Sequence, residues 1–134
     1  MDHIKEYFKK DALAAHLGIE LLEVSPGRAV ARMEVRDEHY NPFRTVHGGA
    51  IFTLADFAFA VAANSHGTIA VALSANILYL RPGGPGVLTA EAMEMSRGKT
   101  TATYDVKVAN DAGKPVASFQ GMVYRKGDPI PGSE

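Results

Sequence analysis

Apolar residues are most concentrated between positions 50 and 63, where only Thr53 and Asp56 interrupt them. A helix over this stretch is apolar on every face, which is typical of a helix enclosed by protein on all sides. Gly48 and Gly49 stand at its start, and Gly67 follows it as a C-terminal stop signal. The pattern therefore predicts one long buried helix near the middle of the chain.

The segments on either side of this helix show the patterns of a shorter helix and of strands. Apolar residues at helical spacing predict an N-terminal helix within residues 1–17. Strands are predicted at 19–24, 29–35, 69–79, 87–95, 100–108 and 115–124, and a loose tail at 126–134. Because helices and strands do not alternate, we expect an α+β fold, in which one curved antiparallel sheet of about six strands wraps around the long helix.

Length and composition narrow the classes of protein. With 134 residues, the chain is expected to form a single domain over residues 1–134. A net charge of −1 gives no reason to expect a nucleic-acid partner, and the absence of cysteine excludes thiolate chemistry. The five histidines show no metal-site spacing, so no metal is expected. Without a membrane-length apolar run or a signal-peptide pattern, a cytoplasmic protein is expected, with no membrane partner.

Asp56 is the first candidate for function, because an ionised carboxylate inside an apolar helix is costly. The alternative is a structural carboxylate held by a backbone group or a lysine. Gly48 and Gly49 add a second feature, since the first N–H groups of a helix lack partners and carry the positive end of its dipole. Two glycines also allow a ligand oxygen to approach these groups closely. A donor site for a developing oxyanion is thus predicted on the same helix as a costly carboxylate.

The residues around this helix are similar to the pattern of a known family. Asn41, His47-Gly48-Gly49 and Leu54-Ala55-Asp56 resemble the hotdog-fold acyl-CoA thioesterases, closest to the phenylacetate-degradation (PaaI-like) branch. The similarity covers nearly the whole chain after about residue 15 and includes Ala58-Phe59-Ala60, Asn64-Ser65, Leu80-Arg81-Pro82-Gly83 and Gly98-Lys99-Thr100. It implies a hotdog fold and the hydrolysis of an acyl-CoA thioester without a cofactor.

The resemblance also implies roles for single residues. Asp56 matches the catalytic carboxylate, Gly48 the backbone donor that polarises the thioester carbonyl, and Asn41 the loop amide beside it. His47 matches a further contact to the acyl oxygen, although its position alone also fits an ordinary loop residue. Some relatives position the water with a hydroxyl near the middle of the next strand; Ala72 and Ser74 are the candidates there, and only Ser74 carries a hydroxyl. Contacts to the coenzyme A nucleotide and pantetheine arm are implied at Arg81, Pro82, Arg97, Gly98 and Lys99.

Several aromatic residues lie on elements expected near the thioester carbonyl. Phe43, Phe57, Phe59 and Tyr79 either fill the core or shape an apolar pocket. The second interpretation favours an aromatic or medium-length acyl group. Gly49, next to the expected donor, is predicted to line the same substrate site.

A homodimer with shared active sites is expected on two grounds. Members of the family form dimers, often paired into tetramers. Independently, Gly48 and Asp56 are eight residues apart, which is about 12 Å along a helix axis. A donor and a base must each lie about 3 Å from the reacting atoms, so one helix cannot easily supply both. Two antiparallel copies across a twofold axis could.

Two other functions stay open on the sequence. An enoyl-CoA hydratase on the same fold would need a second acid–base residue such as a close histidine, and His66 lies at the far end of the helix. A non-catalytic acyl-CoA-binding module would have no use for a buried Asp56. The residues also leave open whether Asp56 acts as a general base or as a nucleophile.

Overall fold

Six antiparallel strands form one sheet in the computed structural model, which describes residues 1–132. Their order is β1-β2-β4-β5-β6-β3, so that β1 and β3 are the two edges. The predicted antiparallel sheet is confirmed, and a strand is present at each of the predicted places. The strands are β1 (Ile19–Ser25), β2 (Arg28–Glu34), β3 (Thr68–Tyr79), β4 (Val87–Arg97), β5 (Thr101–Ala109) and β6 (Pro115–Pro129).

The predicted long helix is also present, as α3 (Gly48–Asn64), and it packs against one face of the sheet. Phe59 of α3 places its ring 5.8 Å from the ring of Tyr104 and 5.4 Å from that of Phe119. On β6, a Cβ atom at Gly121 would lie only 2.5 Å from Phe59 Cζ. The absence of a side chain at position 121 thus lets the helix approach the sheet closely.

The N-terminal segment contains two helices, α1 (Asp2–Phe8) and α2 (Ala12–Leu17), where a single helix was predicted. The physical reason is Asp11, whose side chain accepts a hydrogen bond from Ala14 N at 3.0 Å. This N-cap starts a new helix after α1 has ended. A short 3₁₀ helix, Asp37–His39, later leads into the loop before α3. None of the described helices is long and apolar enough to cross a membrane.

The prediction of a loose tail from residue 126 is wrong over most of its length. Strand β6 continues to Pro129, which pairs with Thr68. Ile130 is fully buried, and its N–H donates to Gly67 O at 2.9 Å. Burial of this apolar side chain holds the end of the chain against the core. Ser133 and Glu134, the last residues of the predicted tail, lie outside the described residues.

One stripe of α3 is left uncovered by the chain itself. Gly49 is exposed, and Phe52, Thr53, Asp56 and Ala60 are only half-buried, while the other faces of the helix are buried. The expectation of a helix enclosed on all sides is therefore wrong for the single chain. We call these five residues the open stripe of α3.

The edge strand β3 runs beside α3 and is tied to both of its ends. Tyr79 donates its hydroxyl hydrogen to Gly48 O at 2.9 Å. At the other end, the Asn64 side chain accepts from Ala70 N at 2.9 Å and donates to Ala70 O at 3.2 Å. Because β3 pairs only with β6, its other edge has no strand beside it within residues 1–132.

Candidate active site

The first turn of α3 leaves a single backbone donor free. The Gly49 N–H donates to His47 Nδ1 at 2.8 Å, while the N–H groups of Ala50 and Ile51 donate to His47 O at 2.9 and 3.2 Å. The Gly48 N–H donates to no acceptor in the part of the chain that the structure describes. It therefore remains available for a substrate oxygen. Gly49, predicted to line the substrate site, already has its N–H occupied.

His47 and Tyr79 fix the position of this free donor. His47 caps the helix through Nδ1, so a neutral ring carries its proton on Nε2, which is left as a further donor. Tyr79 holds Gly48 from the other side, since a Cβ atom at position 48 would lie 3.1 Å from Tyr79 Cζ. Burial raises the pKa of the Tyr79 hydroxyl, which keeps it protonated as a donor to Gly48 O.

The loop before α3 is shaped by Asn41. Its Oδ1 accepts hydrogen bonds from Phe43 N at 3.0 Å and from Thr45 N at 3.2 Å, and its Nδ2 donates to Thr45 Oγ1 at 2.9 Å. In the single chain, these contacts engage Asn41 in holding the loop. Phe43 itself is 85% exposed, so its ring is not part of the core formed by the described residues.

A buried histidine, His39, holds the same loop through its side chain and its backbone. The His39 side chain is almost fully buried, with Nδ1 accepting from Arg36 N at 2.9 Å and Nε2 lying 2.9 Å from Leu17 O. Its carbonyl oxygen accepts from His47 N at 2.7 Å. His39 thus links α2 to the residue that caps α3, a role that the sequence pattern did not reveal.

Asp56 lies on the open stripe without a partner. Among the described residues, no group donates a hydrogen bond to its carboxylate and no cation pairs with it. Burial raises the pKa of this carboxyl group, and the nearby charge of Asp11 raises it further. A half-buried carboxylate with these surroundings is a basic one, suited to take a proton or to attack a carbonyl carbon.

Ser74, the candidate hydroxyl for positioning the water, lies on the outer face of the sheet. It pairs with Met122 on β6, whose side chain is exposed on the outer face of the sheet, and lines a shallow groove there with Met95 and Thr103. The cause is an irregularity of pairing between Ala72 and Ser74. Ala72 pairs with buried Val123, so the inward position has no hydroxyl.

The basic residues expected to bind coenzyme A lie at opposite ends of α3. Arg81 and Pro82 follow β3 beside Gly48, where they line a shallow pocket with Tyr79. Arg97 lies beyond the other end of the helix, with its guanidinium nitrogen 2.6 Å from His66 Nδ1. Gly98 and Lys99 follow it in the exposed turn between β4 and β5. One chain alone does not bring the two groups together.

A second polar cluster joins the C-terminal end of α3 to the sheet. Glu94 accepts hydrogen bonds from Tyr104 at 2.6 Å and from His66 Nε2 at 2.8 Å. Burial alone would raise the pKa of Glu94, but these bonds and the charges of His66 and Arg97 lower it below its ordinary value. Because Glu94 lies 28 residues from His66, no spacing rule connects the two in the sequence.

Comparison with known proteins identifies the class. Residues 43–117 match the model of the Thioesterase superfamily. The chain is 43% identical to the acyl-coenzyme A thioesterase PaaI of Escherichia coli, over 93% of this chain and 90% of that protein. It is 35% identical to human acyl-coenzyme A thioesterase 13, over 74% of each chain.

Solved structures show the same similarity. The E. coli PaaI protein from the phenylacetic acid degradation operon superposes with a TM-score of 0.92 at 41% identity, covering 96% of this chain and 94% of that one. A hypothetical thioesterase protein from Streptococcus pneumoniae, solved with coenzyme A, superposes with a TM-score of 0.86 at 28% identity, over 93% of this chain and 98% of that one.

The curved sheet around one long helix is the hotdog fold, and the chain belongs to the thioesterase superfamily. Within it, the chain is a PaaI-like acyl-CoA thioesterase, as its residues indicated. The expected class of enzyme, a thioester hydrolase, is confirmed.

Proposed function

We propose that this thioesterase hydrolyses aromatic or medium-chain acyl-CoA, with Asp56 activating the attack and the Gly48 N–H stabilising the oxyanion. The observation that carries the proposal is the pair of unsatisfied groups on α3. The first turn has one free N–H, and the open stripe has one carboxylate without a partner. Unsatisfied polar groups cost stability, so their presence on one helix points to a ligand that completes them.

The chemistry needs little more than these two groups. In the general-base route, Asp56 takes a proton from water while the water oxygen attacks the thioester carbon. The carbonyl oxygen becomes an oxyanion held by the Gly48 N–H, and its collapse breaks the C–S bond. The thiolate then takes the proton from Asp56. In the nucleophilic route, Asp56 attacks first, releases the thiolate and forms a mixed anhydride that water hydrolyses.

Turnover in ¹⁸O-labelled water tests the nucleophilic route. If Asp56 forms the anhydride and water then attacks its carboxyl carbon, repeated turnover places ¹⁸O in Asp56, and the peptide that contains it becomes heavier. General-base catalysis places the label only in the released acid, as does attack of water on the acyl carbon of the anhydride, so label in Asp56 establishes nucleophilic attack. Mass spectrometry of the digested protein, compared with a sample incubated without substrate, gives the answer.

We propose further that two chains share each site. The free edge of β3 can pair with the same strand of a second copy across a twofold axis, because β3 leaves its backbone groups unpaired on that side. Such pairing would cover the open stripe of α3 with the partner's helix. It would direct the free Gly48 N–H of one chain towards Asp56 of the other. Within one helix these two residues are about 12 Å apart along the axis, too far for both to reach the same reacting atoms easily.

A twofold arrangement also fits the proposed contacts to coenzyme A. It would bring the Arg81 end of one chain to the Arg97 end of the other, so that both groups could reach a single nucleotide. Two such dimers could pair into a tetramer through the outer face of the sheet. Large apolar side chains are exposed on that face: Met93, Met95, Met122 and Tyr124. Since coenzyme A thioesters are made and used inside cells, we propose a cytoplasmic location.

Mixing two inactive variants tests the shared site. Asp56→Ala removes the carboxylate, and Gly48→Pro removes the free N–H while keeping a residue that suits the first position of a helix. After exchange of subunits, about half of the dimers contain one chain of each kind. A mixed dimer has one native site and one doubly defective site, so activity should return to about a quarter of the wild-type value.

The outcome that contradicts sharing is equally clear. If mass spectrometry shows that subunits have exchanged, yet activity stays at the level of the separate variants, both groups act within one chain. Mixing each variant with itself through the same procedure controls for activity lost or gained during exchange.

A further inference from the structure

We propose that the cavity between α1, α2, β1 and Phe57 receives the acyl group, so that the N-terminal helices determine which acyl-CoA is hydrolysed. This inference rests on the proposed thioesterase function. The helices concerned lie outside residues 43–117, the part of the chain that matches the superfamily model. A specificity pocket built from them would give this enzyme its own substrate range on a shared catalytic framework.

The cavity has the size and lining of a small-molecule site. Its volume is about 550 Å³, within the range of roughly 300–1,000 Å³ that is typical of ligand pockets. Phe57 of α3 and Phe8 of α1 form part of its wall, with their rings edge to face and their centroids 6.1 Å apart. Apolar side chains from the other elements complete this wall: Ala14, Ala15, Ile19 and Leu21.

The position of the cavity relative to Asp56 favours an acyl group as its occupant. Phe57 directly follows Asp56 on α3. Asp11 lines the cavity and is close enough to Asp56 for its charge to raise the pKa of that carboxyl group. Asp56 itself does not line the cavity, but a chain attached to a carbonyl carbon at Asp56 starts next to two residues that do, Asp11 and Phe57.

The charges at the rim also indicate an uncharged occupant. Two lysines, Lys5 and Lys9, face a larger set of carboxylates: Asp2, Glu6, Asp11 and Glu20. Lys9 is already paired with Glu6 at 2.8 Å. An acyl group with a terminal carboxylate would meet net repulsion here, whereas an alkyl or aryl group would gain from burial against the apolar wall.

The test compares the binding of non-hydrolysable thioethers, S-ethyl-, S-octyl- and S-benzyl-coenzyme A, by isothermal titration calorimetry. We expect the wild-type chain to bind the octyl and benzyl compounds at least about tenfold more tightly than the ethyl compound, because more apolar surface is buried. Ala15→Phe should fill the cavity and reduce this preference to about twofold or less. Binding of the ethyl compound should be unchanged.

A matched control and a second variant keep the test decisive. Ala12 lies on the same helix and is exposed outside the cavity, so Ala12→Phe should retain the wild-type preference. Phe8→Ala should enlarge the cavity and shift the preference towards larger groups, even if Ala15→Phe proves unstable. The proposal is overturned if the wild type does not prefer the octyl and benzyl compounds to the ethyl compound. It is also overturned if Ala15→Phe and Phe8→Ala both keep the wild-type preference.

Hydrolysis of the corresponding thioesters separates this proposal from the thioesterase function on which it rests. If the wild type hydrolyses no acyl-CoA but binds the thioethers with the expected preference, the proposed hydrolysis is wrong and the cavity assignment stands. If hydrolysis occurs and its dependence on chain length is the same in wild type and Ala15→Phe, the cavity assignment is wrong and the hydrolysis stands.

Discussion

Asp56 and Glu94 show how differently one chain treats two partly buried carboxylates. Glu94 receives hydrogen bonds from Tyr104 and His66, and these outweigh its burial and lower its pKa. Asp56 receives none, and its burial together with the charge of Asp11 raises its pKa. The surroundings of Glu94 stabilise the folded chain, whereas those of Asp56 oppose its ionisation. This contrast separates a structural carboxylate from a reactive one.

Replacement of Asp56 by asparagine is expected to abolish turnover and to stabilise the fold. The amide keeps the shape but cannot act as base or nucleophile, so kcat should fall about a thousandfold or more. Because the pKa of Asp56 is raised in the folded state, the unfolded wild type loses this proton at lower pH than the folded one. The wild type therefore becomes less stable as the pH rises above the ordinary aspartate pKa, and the full loss is reached above the raised pKa. Asp56→Asn should therefore be the more stable chain at pH 7, as measured by urea unfolding.

The stability difference should disappear below the ordinary aspartate pKa of about 3.9, where Asp56 is protonated in both states. A variant that unfolds readily at pH 7 would show instead that Asp56 is structural. Asp11→Asn serves as the electrostatic control, since asparagine retains the N-cap and removes the charge. It should move the acid limb of kcat/KM to lower pH; an unmoved limb would contradict the influence of Asp11.

Tyr79 is expected to act as a positioning residue for the free donor. Its hydroxyl holds Gly48 O, so Tyr79→Phe should loosen the first turn of α3 and misplace the Gly48 N–H. We expect kcat to fall about three- to tenfold with little change in KM. Tyr124→Phe, which alters an exposed tyrosine on the outer face, is the control. Equal effects of both variants would contradict a specific role for Tyr79.

The candidate site residues that the sequence indicated are those whose pattern lies within one short segment of the chain. Asp56 interrupts an apolar helix, and Gly48 begins it, so both are visible within one short segment. Tyr79 lies 31 residues from Gly48, and only the fold brings them together. The choice between Ala72 and Ser74 could not be made from the sequence, because an irregularity in the pairing of β3 changes which residue faces inward. Such an irregularity has no reliable signature in a single sequence.

At the scale of elements, the contact between Phe59 and Gly121 fixes the distance of α3 from β6. We expect Gly121→Ala to lower the free energy of unfolding by about 1–3 kcal/mol, because the new methyl group overlaps a ring that has no free space around it. Chemical denaturation of both chains measures the difference.

A double-mutant cycle with Phe59→Leu identifies the cause. The smaller side chain should leave room for the methyl group, so Gly121→Ala should cost less in the Phe59→Leu chain than in the wild type. Additive effects of the two substitutions would show that the loss comes from the backbone of β6 and not from this contact. Gly98→Ala, in the exposed turn between β4 and β5, serves as a control for replacement of a glycine alone.

Elements with a strong internal pattern could be predicted, and those defined by distant contacts could not. The central helix is a long, nearly continuous apolar run, and the strands are strand-like segments separated by turn residues. The break between α1 and α2 lacks glycine and proline, and its only local signal is Asp11 as a possible N-cap. The end of β6 was missed because Ile130 is isolated among turn residues, yet it is buried by contacts made across the fold.

At the scale of the whole molecule, residues 1–132 leave one edge of the sheet and one stripe of α3 uncovered. An unprotected edge strand with exposed apolar side chains is a surface that proteins ordinarily cover or charge. Here Val71, Leu73 and Leu78 are exposed on the edge strand β3, and Asp56 lies on the open stripe of α3, the helix that runs beside this strand. Both features have a common explanation if a second copy pairs with β3 and places its helix against α3. Assembly would then be a condition for catalysis.

Leu73→Asp is expected to separate the proposed dimer into folded, inactive monomers. A charge on the free edge opposes pairing with a second β3, because the carboxylate would have to be buried at the contact between the two strands. Leu13→Asp is the matched control, because Leu13 on α2 has the same exposed fraction, 57%, away from this edge. Analytical ultracentrifugation gives the mass, circular dichroism the fold, and release of coenzyme A the activity. We expect a halved mass and at least about a hundredfold loss of kcat/KM for Leu73→Asp alone. A monomer that keeps full activity would show that Gly48 and Asp56 serve one site within a single chain.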